Sequence, residues 1–283
     1  MAGRPASAPS DRRALLRINR LPIDIKGKLM KLTDKVAVVT GASQGIGRAS
    51  ALELARNGAH VVFNYLTNDE EAASLVQLIK ELGREAIALK GDVANRDFDE
   101  AMIAKAVEKF GSVDILVNNA ATSIRKALVD LSVEEVERTW AVSLWGVLHC
   151  SQLAAQQMIR AGRGGAIIVI SSIHAFRAYA LSTAYNGAKA AINHMAATWA
   201  LELAPHKIRV NTIEPGWIDT PGERKAFSEA QIAEIGKRLP LGRLGTPEEI
   251  ARGVVFLASE EDSSYITGTV LRIDGGMVLP YTI

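Results

Sequence analysis

From Lys35 onward, apolar runs of about five residues alternate with longer amphipathic stretches. Nearly continuous apolar runs suit strands buried on both faces of a parallel sheet, and the stretches between them suit crossover helices. The pattern predicts strands at Val36–Val39, His60–Tyr65, Ala86–Leu89, Asp114–Asn118, Ala166–Ser171, Ile208–Ile213 and Val270–Ile273. Helices are expected near 45–57, 69–83, 97–110, 133–160, 184–203 and 247–258. Together they predict one doubly wound α/β domain over residues 30–283. The long insertion Glu214–Thr246 holds Pro215-Gly216, Pro221-Gly222 and Leu241-Gly242, and reads as an active-site lid or a small helical excursion.

Charge changes the picture at one end only. The chain's formal +2 is uneven: residues 1–29 carry Arg4, Arg12, Arg13, Arg17, Arg20, Lys26 and Lys28 against Asp11 and Asp24. That segment reads as a basic leader, a flexible arm or an artefact of the start, with Met30 the natural beginning of the domain. The body is left net acidic, which argues against nucleic acid as a partner. No apolar run approaches the roughly 18 residues of a membrane span, so no membrane association is expected. The single cysteine, Cys150, offers neither a disulfide nor a cysteine metal site, and a cytoplasmic location is the expectation. His60, His149, His194 and His206 show no ligand spacing, and no metal site is expected.

The first strand runs into Thr40-Gly41-Ala42-Ser43-Gln44-Gly45-Ile46-Gly47 and then directly into a helical pattern. Glycines there let a backbone approach a pyrophosphate, and the helix start offers free N–H groups. An acid at the tip of the second strand would favour NAD by bonding the ribose 2′-hydroxyl. The tip reads Asn64-Tyr65-Leu66-Thr67-Asn68, with neither acid nor arginine, so the reading leans to NADP while keeping NAD open. Asp92-Val93 and Asn119-Ala120-Ala121 follow the third and fourth strands and fall on the same crevice.

Tyr185-Asn186-Gly187-Ala188-Lys189 opens a long predicted helix, and its i,i+4 spacing puts phenol and ammonium on one face. A nearby cation favours the phenolate and would bring a poor base toward the working range. Ser172 closes the fifth strand, where its hydroxyl could donate to a substrate oxygen, although the adjacent Ser171 leaves the choice between them open.

With these motifs in hand, residues from about Lys31 to Ile283 resemble the short-chain dehydrogenase/reductase family. The resemblance rests on Thr40–Gly47, Asp92, Asn118–Ala121, Ser172, Tyr185, Lys189, Asn211, Pro215-Gly216, Thr220 and Asp274-Gly275-Gly276. It implies a Rossmann-type, seven-stranded parallel sheet with helices on both faces, and a homotetramer built through the two long helices. It also implies Tyr185 as acid/base, Lys189 lowering its pKa and holding the nicotinamide ribose, and Ser172 orienting the carbonyl. Pro215, Gly216, Ile218 and Thr220 would hold the nicotinamide. Within the family the chain looks most like bacterial glucose 1-dehydrogenases and 3-oxoacyl-carrier-protein reductases. It departs at Ser143, where the family places a catalytic Asn; a hydroxyl there could hold a relay water toward Lys189 but does not copy an amide.

His174, Arg177 and Trp217 are candidates for the substrate mouth, while Cys150 reads as core and Trp140 and Trp145 as helix packing or an oligomer interface. The expected function is NAD(P)-dependent interconversion of a secondary alcohol, of sugar or polyol type, and its ketone or lactone. Reduction of a 3-oxoacyl carrier substrate is one alternative. A nucleotide-binding sensor or scaffold with impaired chemistry is another, motivated by Ser143.

Overall fold

The computed structural model describes residues 30–280; the basic segment 1–29 lies outside them. The elements run β1 (Val36–Val39), α1 (Gly45–Arg56), β2 (His60–Tyr65), α2 (Asp69–Glu81), β3 (Ala86–Lys90), α3 (Arg96–Phe110), β4 (Ile115–Asn118), α4 (Val133–Trp140), α5 (Gly146–Ala161) and β5 (Gly165–Ile170). They continue with α6 (Thr183–Leu203), β6 (Ile208–Pro215), α7 (Pro221–Ala226), α8 (Glu229–Lys237), α9 (Pro247–Ala258), α10 (Glu260–Ser263) and β7 (Val270–Ile273). All seven strands lie in one sheet, ordered β3-β2-β1-β4-β5-β6-β7, and every neighbouring pair is parallel.

The apolar runs explain the layering. On β1, Ala37 and Val39 join the core packed by α1, α2 and α9, whereas Val36 and Val38 join the core packed by α3, α5 and α6. Successive side chains of a strand point to opposite faces, so a strand covered on both sides is apolar at most positions. The chain order reverses between β1 and β4, and the carboxyl ends of those two strands therefore splay their loops apart. That is the switch point where open α/β sheets build their crevice.

Several strand and helix ends shift by a residue or two, and three departures from the sequence expectation bear on how the site is placed. β4 runs from Ile115, although the Asp114 N–H still donates to the Val36 carbonyl at 2.9 Å; the Asp114 carboxylate accepts from the Val36 N–H at 2.9 Å and the Ser112 hydroxyl at 3.0 Å. The helix expected over 133–160 is not regular: α4, opened by the Ser132/Glu135 capping box, widens into a π turn over Ala141–Trp145 before α5. At the start of α5, Gly146 lies so close to the loop after β3 that a Cβ would sit 2.8 Å from the Val93 carbonyl oxygen. The insertion Glu214–Thr246 is the helical excursion: Glu214 and Pro215 extend β6, and α7 and α8 fill much of the remainder. No helix among the described residues is long and apolar enough to cross a membrane.

Candidate active site

The loop between β1 and α1 is held by side chains at the neighbouring strand ends. Thr40 Oγ1 accepts from the N–H groups of Asn119 (2.9 Å) and Ala120 (3.0 Å), and Asn119 Nδ2 donates to the carbonyls of Thr40 and Gly41, both at 2.9 Å. Asn64 Oδ1 accepts from the Gly41 N–H at 2.8 Å, while its Nδ2 donates to the Gly91 carbonyl at 2.9 Å. Asn64 thus braces the glycine loop against β2 and β3, a different use from the ribose contact expected of it. Gly41 and Gly45 have φ of +66° and +57°, the left-handed region that favours glycine. Gly47 is required by contact: a Cβ would lie 2.3 Å from the Gly41 oxygen and 2.4 Å from Asn119 Nδ2.

Above this loop lies a cleft of about 440 Å³. Gly41, Ser43, Gln44, Gly45 and Ile46 line it from the first turn, and Asn64, Tyr65 and Thr67 from the end of β2. Asp92 and Val93 follow β3, Asn119, Ala120 and Ala121 follow β4, and Thr220 closes the far side. Gln44 caps α1 without a side-chain hydrogen bond, and the first turn of α1 holds no acid, so its backbone donors suit an anionic phosphate. The glycine cradle and this donor set fit a dinucleotide. Sequence reasoning missed Arg138 of α4, which lines the cleft and pairs with Asp92 at 2.8 Å; at the end of β3, Lys90 pairs at 2.7 Å with Asp69, which also accepts from the Tyr65 hydroxyl.

Pro215, Gly216 and Ile218, expected against the nicotinamide, stand at and just after the end of β6. Gly216 packs on β7, where a Cβ would lie 2.7 Å from Asp274 Cα, and Ile218 is buried in the apolar core. Thr220 caps α7, its hydroxyl accepting from the Glu223 N–H at 3.4 Å.

The chemical residues converge beside the cleft. Tyr185 and Lys189 sit in the opening turns of α6, with Lys189 Nζ 5.3 Å from the centre of the Tyr185 ring. Lys189 is fully buried and donates to the Ile170 carbonyl at 2.8 Å. Desolvation lowers its pKa to about 7. The phenol of Tyr185 goes the other way: burial pushes it up to about 12, hydrogen bonding with Ser172 pulls it down, and the charge of Glu223 adds to the rise. Desolvation of the phenol itself is the largest of these influences and runs against the depression expected from the lysine.

The serine pair divides cleanly. Ser171 donates to the main-chain carbonyl of Lys189 at 3.4 Å and ties β5 to α6, whereas Ser172 meets the Tyr185 phenol and accepts from the His174 N–H at 3.2 Å. His174 Nδ1 lies 2.6 Å from Asn186 Oδ1, and Asn186 Nδ2 donates to the Tyr179 carbonyl at 3.0 Å. That second bond fixes the amide, so Nδ1 carries the imidazole proton and Nε2 is left as an acceptor. Burial lowers the pKa of His174 and keeps the ring neutral, stacked on Tyr179 with ring centres 4.2 Å apart.

Arg177 reaches the Met277 carbonyl at 3.3 Å and tethers the chain after β7. Trp217 donates from Nε1 to Glu223 at 2.9 Å and meets Phe227 edge-on at 5.4 Å. Ser143 lies in the π turn, fully buried; its hydroxyl accepts from the Thr122 N–H at 3.0 Å and donates to the Thr122 carbonyl at 2.9 Å. Both bonds hold the loop after β4, so the side chain is directed at that loop and not at Lys189.

Comparison with known proteins agrees with this geometry. A family model described as enoyl-(acyl carrier protein) reductase matches residues 41–278. An L-rhamnose 1-dehydrogenase (NAD(P)(+)) of Sphingomonas sp. is 44% identical over 250 residues, covering 88% of this chain and 98% of the relative. A 3-oxoacyl-[acyl-carrier-protein] reductase of Thermotoga maritima is 39% identical over 250 residues, covering 88% of this chain and all (100%) of the relative. A crystal structure of a short-chain type dehydrogenase/reductase from Mycobacterium marinum superposes with a TM-score of 0.82 at 35% identity, covering 89% of this chain and 98% of that one. The chain belongs to the short-chain dehydrogenase/reductase family.

It is accordingly an NAD(P)-dependent oxidoreductase. In this short-chain dehydrogenase/reductase, sequence reasoning missed Thr122, Asn186 and Glu223. Thr122 and Asn186 are ordinary loop and helix polar residues until the fold sets them against Ser143 and His174. Glu223 sits in the run Glu223-Arg224-Lys225, which reads as a solvated face.

Proposed function

We propose that this enzyme oxidises a neutral aldose at C1 to the corresponding lactone, with Ser172, Tyr185 and Lys189 as the catalytic group. The observation that supports this chemistry is the convergence of a phenol, a hydroxyl and a buried amine beside a dinucleotide-shaped cleft. The substrate class draws on the L-rhamnose dehydrogenase relatives, two of which are 44% and 42% identical to this chain.

A bound NAD or NADP supplies the hydride acceptor, or the donor in the reverse direction. Tyr185 Oη takes the proton of the C1 hydroxyl as the carbon gives up its hydride, and C=O replaces C–OH. Ser172 donates to the same oxygen and steadies its charge. Lys189, fixed by the Ile170 carbonyl, lies under the phenol. A phenol raised to about 12 is a ready acid for carbonyl reduction and becomes a base only as pH rises, so oxidation runs faster in alkali. The cofactor wall carries Thr67, Gln44 and Asn68 beside the ribose position without a free acid, which supports a preference for NADP. His174, Arg177 and Trp217 line the substrate side.

The account extends to a cytoplasmic homotetramer. Trp140 (38% exposed), Trp145 (48%) and Leu201 (80%) leave apolar surface on α4, the π turn and α6, the faces such an assembly would cover. The test is nicotinamide absorbance at 340 nm with a panel of aldoses, polyols, simple ketones and a 3-oxoacyl thioester, with NAD and NADP in parallel. Preferred turnover of aldoses supports the proposal; preferred reduction of the thioester gives the function to the other reading.

A further inference from the structure

Helix α7 turns its charges in two directions. Arg224 faces outward, forming a bidentate pair with Asp219 at 2.7 Å and reaching Glu229 as well. Glu223, half-buried, turns inward. One carboxylate oxygen accepts the indole N–H of Trp217 at 2.9 Å, and the charge lies close enough to act on both Tyr185 and His174. Among the described residues Glu223 has no cationic partner. With one indole N–H bound, the half-buried carboxylate keeps most of its acceptor capacity unused and open to a further hydrogen-bond donor.

What arrives at Glu223 must donate a hydrogen bond. The carboxylate keeps acceptor capacity on both oxygens, and His174, on which the charge of Glu223 acts, adds a neutral acceptor at Nε2. A carboxylate or phosphate set directly against Glu223 would meet repulsion, although the charges of Arg125 and Lys189 also act on His174. Neighbouring hydroxyls of a neutral sugar satisfy both groups at once.

Resting on the aldose reading above, we propose that Glu223, set in place by Trp217, is the specificity-determining residue that accepts hydrogen bonds from the substrate's ring hydroxyls. A site built to bond a hydroxyl rejects the analogue that lacks it, since the buried acceptor is then left unpaired. Glu223 acts on binding and orientation, while the proton transfer belongs to Tyr185.

The experiment compares the NADP-loaded enzyme and Glu223→Gln on the best aldose of the panel and on its mono-deoxy analogues. Glutamine keeps an oxygen for the Trp217 indole and removes the charge. In the wild type, at least one deoxy position is expected to lower kcat/KM about 10- to 100-fold, the range of a charge-assisted hydrogen bond. In Glu223→Gln that ratio is expected to shrink to about threefold or less, with the loss on the parent aldose mainly in KM and the cofactor KM little changed. Deoxy penalties that survive intact in the variant overturn the assignment while leaving aldose oxidation standing. A wild type that oxidises simple alcohols but no aldose overturns the aldose reading, and this assignment with it. Should Glu223→Gln not fold, Trp217→Phe gives the same readout: the ring contact with Phe227 is kept, the carboxylate loses its anchor, and the deoxy ratio is expected to fall.

Discussion

Replacing Lys189 by Met is expected to lower turnover steeply and stabilise the protein, by an amount that depends on pH. The lysine is 1% exposed and its pKa falls from 10.5 to about 7 through desolvation. At about 1.4 kcal/mol per tenfold change, holding this group in the folded state costs about 5 kcal/mol at or below neutral pH. Methionine fills a similar volume with no charge, but it leaves the Ile170 carbonyl without its 2.8 Å donor, which costs about 1–3 kcal/mol. The variant should therefore be about 2–4 kcal/mol more stable near pH 7. The sign fixes the pH window. Below about 7 the folded and unfolded lysines are both protonated and the cost is full. Between about 7 and 10.5 the unfolded chain binds more protons, so wild-type stability rises with pH and the advantage of the variant fades. Urea unfolding of both proteins at pH 6.5, 8 and 10, followed by circular dichroism, measures this directly. Turnover should fall by about 10²–10⁴. A variant less stable than wild type at pH 7, or a stability difference that does not change with pH, refutes the reasoning.

Two further outcomes follow from buried polar groups. Asp99 of α3 is fully buried against α5, beside the Cys150 thiol and 3.8 Å from His149 Nδ1, and desolvation raises its pKa to about 7. The folded state thus binds more protons than the unfolded one between about 4 and 7, so wild-type stability falls as pH rises through that window; Asp99→Leu should remove the slope and be about 2–4 kcal/mol more stable at pH 8, read as melting temperature against pH, and parallel curves for the two proteins would contradict this. Ser143→Ala should strand both backbone groups of Thr122, costing about 1–3 kcal/mol in urea unfolding and raising the cofactor KM, with Ser143→Asn restoring part of both; an unchanged cofactor KM would show that the loop after β4 needs no such clamp.

Much of the fold was legible because double-sided burial favours apolar residues at most strand positions, so Val36–Val39 and Ile115–Val117 announce themselves as runs. The glycine loop and the Tyr185–Lys189 spacing were equally visible, since chain geometry alone places them. What stayed hidden depends on neighbours distant in sequence. The π turn at Ala141–Trp145 leaves no mark in the hydrophobic period, and its meaning appears only when Ser143 meets Thr122. Which of Ser171 and Ser172 faces the phenol depends on how β5 ends against α6. The direction of the Tyr185 shift depends on burial, which outweighs the lysine that spacing alone suggests as dominant. Asn64 looked like a free polar tip because its two partners, Gly41 and Gly91, lie 23 and 27 residues away.

The central claim is that Tyr185 moves the proton in a hydride-transfer reaction at this cleft. Absorbance at 340 nm for wild type and Tyr185→Phe on the best aldose, with NADP binding followed in parallel by fluorescence, tests it most directly. The account predicts turnover reduced by about 10³-fold or more with cofactor affinity within about threefold of wild type. Turnover in Tyr185→Phe comparable to wild type would contradict it.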